Sequence, residues 1–301
     1  MWCSENWNDY ELIDTSGGER LERWGSYILV RPDPQVIWNS KKSNKLWNNA
    51  HGVYRRSDKG GGRWVVNKLP EEWTIKYRHL TFVLKPMGFK HTGLFPEQAA
   101  NWDWMYDLIK NAGRPIKVLN LFAYTGGATV ACAFAGASVC HVDASKGMVA
   151  QAKENARLSG LSDAPIRYIV DDCKKFVERE IRRGNKYDAV IMDPPSYGRG
   201  PTGEIWKLED SIDELLELTS CVLTEKPLFF LINSYTTGLS PLSMNYILKL
   251  KLDAKGYRGS YESGELGLKV TDSGGFLPCG ASVRFCGKKI KEFEIGLFKN
   301  R

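Results

Sequence analysis

The sequence predicts an α/β fold, a doubly wound and mostly parallel sheet with helices on both faces, preceded by a smaller β-rich module. Two observations predict it. From about residue 97, short apolar runs alternate with segments of helical period, which argues a parallel sheet covered on both sides. Before that point, short alternating segments are separated by turns rich in Gly and Pro. A chain of 301 residues has room for one large domain and one small module. The expected division is 1–90 and 91–301.

In the first part, Tyr10–Asp14 leads through Ser16-Gly17-Gly18 to Arg20–Trp24, which reads as a hairpin. Tyr27–Val30 is a strand stopped by Arg31-Pro32-Asp33-Pro34, because proline cannot continue a ladder. Lys59–Arg63 is a turn before strand-like Trp64-Val65-Val66. Trp73–Tyr77 and Thr81–Leu84 alternate as half-buried strands do. The second part begins with a helix over Glu97–Asn111, where Ala99, Trp102, Tyr106 and Ile109 approach a 3.6-residue period. Strands are expected over Lys117–Phe122, Ser138–Val142, Ile166–Val170, Tyr187–Met192 and Leu228–Ile232. Helices over Ala128–Ala135, Lys146–Leu158, Cys173–Arg183 and Asp210–Leu223 separate them. A helix over Ser243–Lys255 and strands near Tyr257–Glu262 and Ala281–Phe285 close the chain, departing from strict alternation.

The net charge of +7 is uneven. Between Arg31 and Lys90 lie 13 Lys/Arg against four acids, an excess of +9 that leaves −2 elsewhere. Aromatic residues interleave with these cations: Trp38, Trp47, Tyr54, Trp64, Trp73, Tyr77, Phe82 and Phe89. Cations for phosphates and rings for bases suit single-stranded or looped RNA. The alternative is a small β module whose rings form its own core under a solvated basic face. Seven scattered cysteines form no C-x-x-C pair, so a reduced, cytoplasmic setting is expected and no metal site. No run of about 18 apolar residues suggests a membrane span, and the first residues do not read as a secretory signal.

Ligands of doubly wound sheets bind beyond the carboxyl ends of the strands. Three such ends carry suitable chemistry in order. The first strand runs into Phe122-Ala123-Tyr124-Thr125-Gly126-Gly127, where glycines let a ligand approach the backbone. The second ends at Asp143, seventeen residues after Gly126, where a carboxylate can take both ribose hydroxyls of an adenosine. The third runs into Asp171-Asp172, where a carboxylate can accept from an adenine amino group. Taken singly, each has a structural reading: a tight turn, or a helix cap at Asp143 or Asp172. The G-x-G-x-x-G of a pyrophosphate cradle is missing, which favours S-adenosylmethionine over a dinucleotide. The fourth strand ends Asp193-Pro194-Pro195-Ser196-Tyr197. There the aspartate and backbone carbonyls turned to the pocket can accept from an exocyclic amine, and Tyr197 can stack on a base.

Residues of about 90–230 resemble the bacterial 23S ribosomal RNA large-subunit methyltransferase family, of cytosine-C5 and guanine-N7 type. The matching phrases are His91-Thr92-Gly93-Leu94-Phe95-Pro96-Glu97-Gln98, Asn120–Gly127, Val142-Asp143-Ala144-Ser145, Asp171-Asp172 and Met192-Asp193-Pro194-Pro195. The resemblance implies a Rossmann-like, seven-stranded class I methyltransferase sheet whose last strand is antiparallel. It implies Asp143 on ribose, Asp172 near adenine, Thr125–Gly127 against the methionine portion, and Gln98 near the cofactor. Phe122, Ala123, Tyr124, Ala144 and Asp171 complete the implied cofactor set. Asp193, Pro194, Pro195 and Tyr197 form the implied transfer site, and ribosomal RNA is the implied partner. The cytosine-C5 members carry a nucleophilic cysteine after the fifth strand, whereas this chain has Asn233-Ser234-Tyr235. That departure points to a nitrogen acceptor, which needs no covalent enzyme adduct. DNA, protein or small-molecule acceptors remain the enzymatic alternatives, and a non-catalytic RNA-binding protein the other.

Overall fold

The computed structural model describes residues 1–57, 61–88, 90–199, 205–236 and 238–287. Lys59 and Gly60 of the expected turn, and Phe89 of the aromatic series, lie outside them.

The chain begins with a two-residue strand β1 (Trp2–Cys3), which no local pattern announces. Strands β2 (Tyr10–Ser16), β3 (Glu19–Trp24) and β4 (Tyr27–Pro32) form an antiparallel meander, its first turn made by the left-handed pair Gly17 and Gly18. β5 (Gly52–Arg56), also unannounced, pairs parallel to β4, and β6 (Gly62–Asn67) completes a five-stranded sheet. β7 (Trp73–Tyr77) and β8 (Leu80–Leu84) make a separate hairpin.

A short turn of 3-10 helix, Pro96–Gln98, then opens helix α1 (Ala99–Lys110). There follow β9 (Lys117–Leu121), α2 (Gly127–Phe134), β10 (Ser138–Asp143), α3 (Lys146–Leu158), β11 (Ile166–Val170) and α4 (Cys173–Arg182). β12 (Ala189–Met192) precedes a small hairpin, β13 (Tyr197–Arg199) and β14 (Ile205–Lys207), that the sequence did not announce. Helix α5 (Leu208–Ser220), β15 (Phe229–Ser234), α6 (Pro241–Ala254) and the long strands β16 (Gly259–Lys269) and β17 (Phe276–Gly287) complete the chain.

The large sheet has the order β1-β16-β17-β15-β12-β9-β10-β11, with β17 antiparallel to both neighbours. Seven of these strands form the expected sheet, and β1 adds an eighth, parallel to β16. The central strands β12 and β15 are buried along their whole length, as strands covered on both faces must be. From β9 the chain winds outward to β10 and β11, then returns to β12 on the other side. The switch point therefore falls between β9 and β12. The segments after β9, β10, β12 and β15 all emerge at that end of the sheet.

The β-rich part is packed onto the sheet. The Val83 amide and carbonyl on β8 bond to the Asn155 and Gln151 side chains of α3, each at 2.8 Å, which satisfies a strand edge from a helix. Buried Glu22 on β3 receives Arg31 through two hydrogen bonds of 2.6 and 2.8 Å and the Tyr10 hydroxyl at 2.9 Å. Arg31 also donates to the carbonyl of Lys90 at 3.0 Å, tying the meander to the segment that enters the sheet. Tyr54, Tyr77 and Phe82 are buried, while Trp64 and Trp73 pack against the core, so these rings are scaffold and not an RNA platform. Several of the basic residues are likewise committed to ion pairs: Lys42 and Arg55 to Glu19, Arg78 to Asp103, and Lys85 to Glu72.

Candidate active site

The segments leaving β9, β10, β12 and β15 surround a cleft of about 620 Å³, a size usual for a cofactor site. Its first wall is the loop after β9. Phe122 and Tyr124 both take left-handed backbone conformations (φ 53° and 50°), followed by Gly126 at 81°. Non-glycine residues pay roughly 1–3 kcal/mol for such geometry, and it persists where the surroundings fix it. Here the Tyr124 amide donates to Asp143 Oδ2 at 2.8 Å, and the Phe122 amide to the Cys173 sulfur at 3.2 Å. The Thr125 hydroxyl is spent on the Gly93 carbonyl at 2.6 Å, so Thr125 reaches the cleft from a braced backbone. At Gly127 a Cβ would come within 2.6 Å of the Trp102 ring, and at Gly126 within 2.8 Å of Ala152. Close packing thus requires both glycines.

Asp143 ends β10, and its other oxygen accepts from the Ser145 amide at 2.8 Å. It does not cap α3; Ser145 does, accepting from Met148. Asp172 does cap α4, through the Lys175 amide at 2.9 Å, and it also lines the cleft. Its neighbour Asp171 pairs with Arg179 and is not among the lining residues.

The opposite wall is Asp193-Pro194-Pro195-Ser196. The Pro195 carbonyl accepts from the Trp206 indole of β14 at 2.7 Å and the Ser196 carbonyl from Leu208. Those two carbonyls are therefore committed to the hairpin and α5, not turned into the pocket. Tyr197 opens β13, is 52% exposed, and stands outside the cleft lining. Desolvation, with Glu97 adding like charge, pushes the Asp193 carboxyl up to about 7.

Beneath this wall the cleft is closed by residues the sequence had not marked for the site. Glu97, Phe95, Tyr235 and Cys279 line it, together with Arg20 and Asp33 from the β-rich part. Gln98, expected near the cofactor, is at the cleft too. Its amide donates to the Tyr235 hydroxyl at 2.9 Å and accepts from Asn101 at 2.9 Å. Asn101 also donates to the Asn233 carbonyl oxygen at 3.0 Å, and Ser282 donates there at 2.8 Å, which fixes the Asn233 amide. Of the described basic residues between 31 and 90, only Lys90 reaches the cleft. Burial and nearby Arg20 lower its ammonium to about 8. Proximity across the fold could not have been read from spacing. The one local hint was Glu97 itself, an acid beside the expected Gln98.

The family model for S-adenosylmethionine-dependent methyltransferases matches residues 30–226. The chain belongs to that family. A solved S-adenosylmethionine-dependent methyltransferase from Agrobacterium tumefaciens is 38% identical, with a TM-score of 0.88 over 95% of this chain and 93% of that one. The ribosomal RNA large subunit methyltransferase K/L of Shewanella frigidimarina is 34% identical over 69% of this chain but 31% of its own length. Its counterpart from Pseudoalteromonas atlantica is 26% identical over 89% of this chain and 38% of its own length. This methyltransferase thus spans well under half of the curated relatives it matches.

The residues present fit the family's cofactor. The cleft offers Asp143 and Asp172 as acceptors for an adenosine, beside the backbone of Phe122–Thr125 and Gly127. No group of three or more His, Cys, Asp and Glu able to hold a metal ion occurs among the described residues. No helix among them is long and apolar enough to cross a membrane.

Proposed function

We propose that this methyltransferase acts on a base nitrogen in RNA, ribosomal RNA first, in the cytoplasm. S-adenosylmethionine supplies a methyl group on a positively charged sulfur. Asp143 takes the ribose hydroxyls, Asp172 the adenine amino group, and the backbone of Phe122–Gly127, with Ala144 and Gln98, encloses the rest. Asp171, itself paired with Arg179, supports Asp172 from outside by accepting from its backbone amide at 2.9 Å. Asp193 accepts a hydrogen bond from the acceptor nitrogen beside the rigid prolines Pro194 and Pro195, and Tyr197, outside the cleft lining, would meet an extruded base only beyond the cleft.

One observation carries the preference for nitrogen. Two cysteines line the cleft, Cys173 and Cys279, and burial raises both thiols, Cys173 to about 12 and Cys279 well above the usual range. A protonated thiol is a poor nucleophile, so the covalent route to a carbon acceptor lacks its thiolate. The RNA part of the reading draws support from the names of the curated relatives and from Lys90, a cation at the cleft suited to a phosphate. The buried rings of the β-rich part supply no stacking surface and do not add to it. We assign 1–90 to a module that completes the acceptor side of the cleft and 91–301 to the methyltransferase sheet.

Mass mapping of modified nucleosides in total RNA from a deletion strain tests the reading. Loss of one methylated base, restored by the wild-type protein, is the expected result. An unchanged set of modified nucleosides would remove RNA as the acceptor.

A further inference from the structure

The cleft that Asp193 lines holds a second carboxyl. Glu97 stands in the 3-10 turn before α1, is 2% exposed, and lines the cleft with Asp193, Tyr235 and Cys279. The Tyr235 hydroxyl approaches this carboxyl, while its Oε2 has no hydrogen-bond partner among the described residues. Buried polar atoms are nearly always satisfied, so an orphaned carboxylate oxygen on a ligand cleft points to a ligand. Neighbouring cations do not account for it. Arg20, the cation that faces Glu97, is drawn off by Asp33 at 3.5 Å and by Glu22 at 3.4 Å.

We propose that Glu97 and Asp193 form a proton-accepting pair at the transfer site, an inference that rests on the nitrogen acceptor proposed above. In the transfer the acceptor nitrogen bonds the methyl carbon, the broken carbon–sulfur bond leaves its electron pair on sulfur, and the proton of that nitrogen passes to the pair. Two carboxyls of like charge lining one cleft resist double ionisation, which favours keeping one of them protonated toward neutrality. The direction of both groups agrees: burial raises Glu97, and burial with the Glu97 charge raises Asp193 to about 7. The other groups facing Glu97 are Arg20, Asp33, Tyr235 and Cys279. Of these, Arg20 and the Tyr235 hydroxyl oppose the rise and Asp33 adds to it.

The test counts protons as well as turnover. Calorimetric titration at pH 7 in two buffers of different ionisation enthalpy measures the proton released on binding. S-adenosylmethionine, cationic at sulfur, should expel a fraction of a proton from the wild-type pair, and S-adenosylhomocysteine, neutral there, should expel less. In Glu97→Gln the Asp193 carboxyl loses its charged neighbour and ionises at lower pH, so the release should fall at least about twofold. The acid limb of its pH–rate profile with radiolabelled methyl donor and total RNA should move to lower pH, and its turnover should drop by about tenfold or more, as loss of a proton acceptor does. Glu97→Asp, which keeps the charge, should lie nearer the wild type in each measurement, separating charge from folding. Equal proton release and an unmoved acid limb in Glu97→Gln would overturn the pair. If wild-type protein labels no RNA while the Glu97-dependent release persists, the RNA acceptor fails and the pair stands.

Discussion

Asp143→Ala should cost this enzyme most of its cofactor affinity, and the structure gives a scale for the loss. Each oxygen of Asp143 already receives a backbone amide at 2.8 Å, from Tyr124 on one side and Ser145 on the other. Each keeps a lone pair for a ribose hydroxyl. Hydrogen bonds to a charged group contribute about 1.5–3 kcal/mol each, so two ribose bonds represent roughly 3–6 kcal/mol. At about 1.4 kcal/mol per factor of ten, the dissociation constant should rise by about 10² to 10⁴. A second effect adds to it, because Asp143 holds Tyr124 in its left-handed conformation and the loop relaxes without that anchor. Asp143→Asn is the sharper probe. Whichever oxygen becomes the amide nitrogen then faces a backbone N–H, donor against donor, so this near-isosteric change should lose nearly as much as alanine. Calorimetry with S-adenosylhomocysteine measures both variants, with the unliganded melting temperature as a control on folding. Affinity within about threefold of wild type would remove Asp143 from the ribose and with it the orientation of the cofactor in the cleft.

The remaining predictions concern the acceptor side and the buried charges. Asp193→Ala should leave cofactor affinity within a few-fold while lowering turnover by about 10²; unchanged turnover would move the transfer site elsewhere. Since Asp193 is raised to about 7, its accepting form is lost as pH falls through that value, and wild-type turnover should fall with it. A rate flat from pH 8 to about pH 5 would contradict this. Lys90→Gln should weaken RNA binding and reduce the salt slope by about one. Because Lys90 sits at about 8, the wild type alone should lose affinity between neutral and alkaline pH, and identical alkaline profiles would exclude it as the contact. Glu22 is held down to about 2, despite its burial, by Arg20 and Arg31 and by hydrogen bonds from Arg31 and Tyr10. A depressed folded value means its contribution is whole above the ordinary carboxylate range and fades as pH drops toward about 2. Glu22→Gln should lower stability by about 3–5 kcal/mol at neutral pH, measured by urea unfolding, because it strands Arg31 in the interior. A loss under about 1 kcal/mol would show that the cluster tolerates an uncharged partner.

What the sequence disclosed and what it hid follow from the range of the forces involved. Buried parallel strands leave apolar runs, and their ends carry polar residues, so the residues Phe122–Thr125, Gly127, Asp143, Asp172 and Asp193 that line the cleft could be expected there by position alone. Asp171 and Asp172 are adjacent and chemically equal. Only the direction of α4 separates them, because Asp172 caps its first turn while Asp171 is turned to Arg179. Tyr197 looked like part of the loop, but pairing with Lys207 makes it the start of a hairpin and carries it off the cleft. β1 is two residues long and joins a sheet edge more than 260 residues away in sequence, with Trp2 opposite Leu266. The aromatic residues of 1–90 could not be sorted by sequence for a different reason. Composition records that rings are plentiful, whereas burial decides whether they are core or platform, and here Tyr54, Tyr77 and Phe82 are core.

That last point bears on how the β-rich part serves the reaction. A separate RNA-binding module would touch the catalytic sheet across a modest, polar surface. The β-rich part does carry a small cluster of its own, Ile13, Leu21, Ile28, Val30 and Ala50, but the larger core is shared. Here one continuous apolar cluster includes Tyr10, Trp24, Ile75, Phe82 and Leu84 from the first 90 residues and Val118, Val130, Ile191 and Phe229 from the sheet. Arg20 and Asp33 reach the cleft from the β-rich part, and Arg31 holds the carbonyl of Lys90 at the junction. The boundary near residue 90 is therefore one of secondary-structure type, while packing runs through it. Residues 91–301 expressed alone should expose the α3 side chains that now satisfy β8, together with the side of that cluster the first 90 residues cover, and should fail to unfold cooperatively. On the proposed reading, the first 90 residues would contribute to acceptor recognition through the side chains they send to the cleft, Arg20, Asp33 and Lys90, and through the core they share with the sheet.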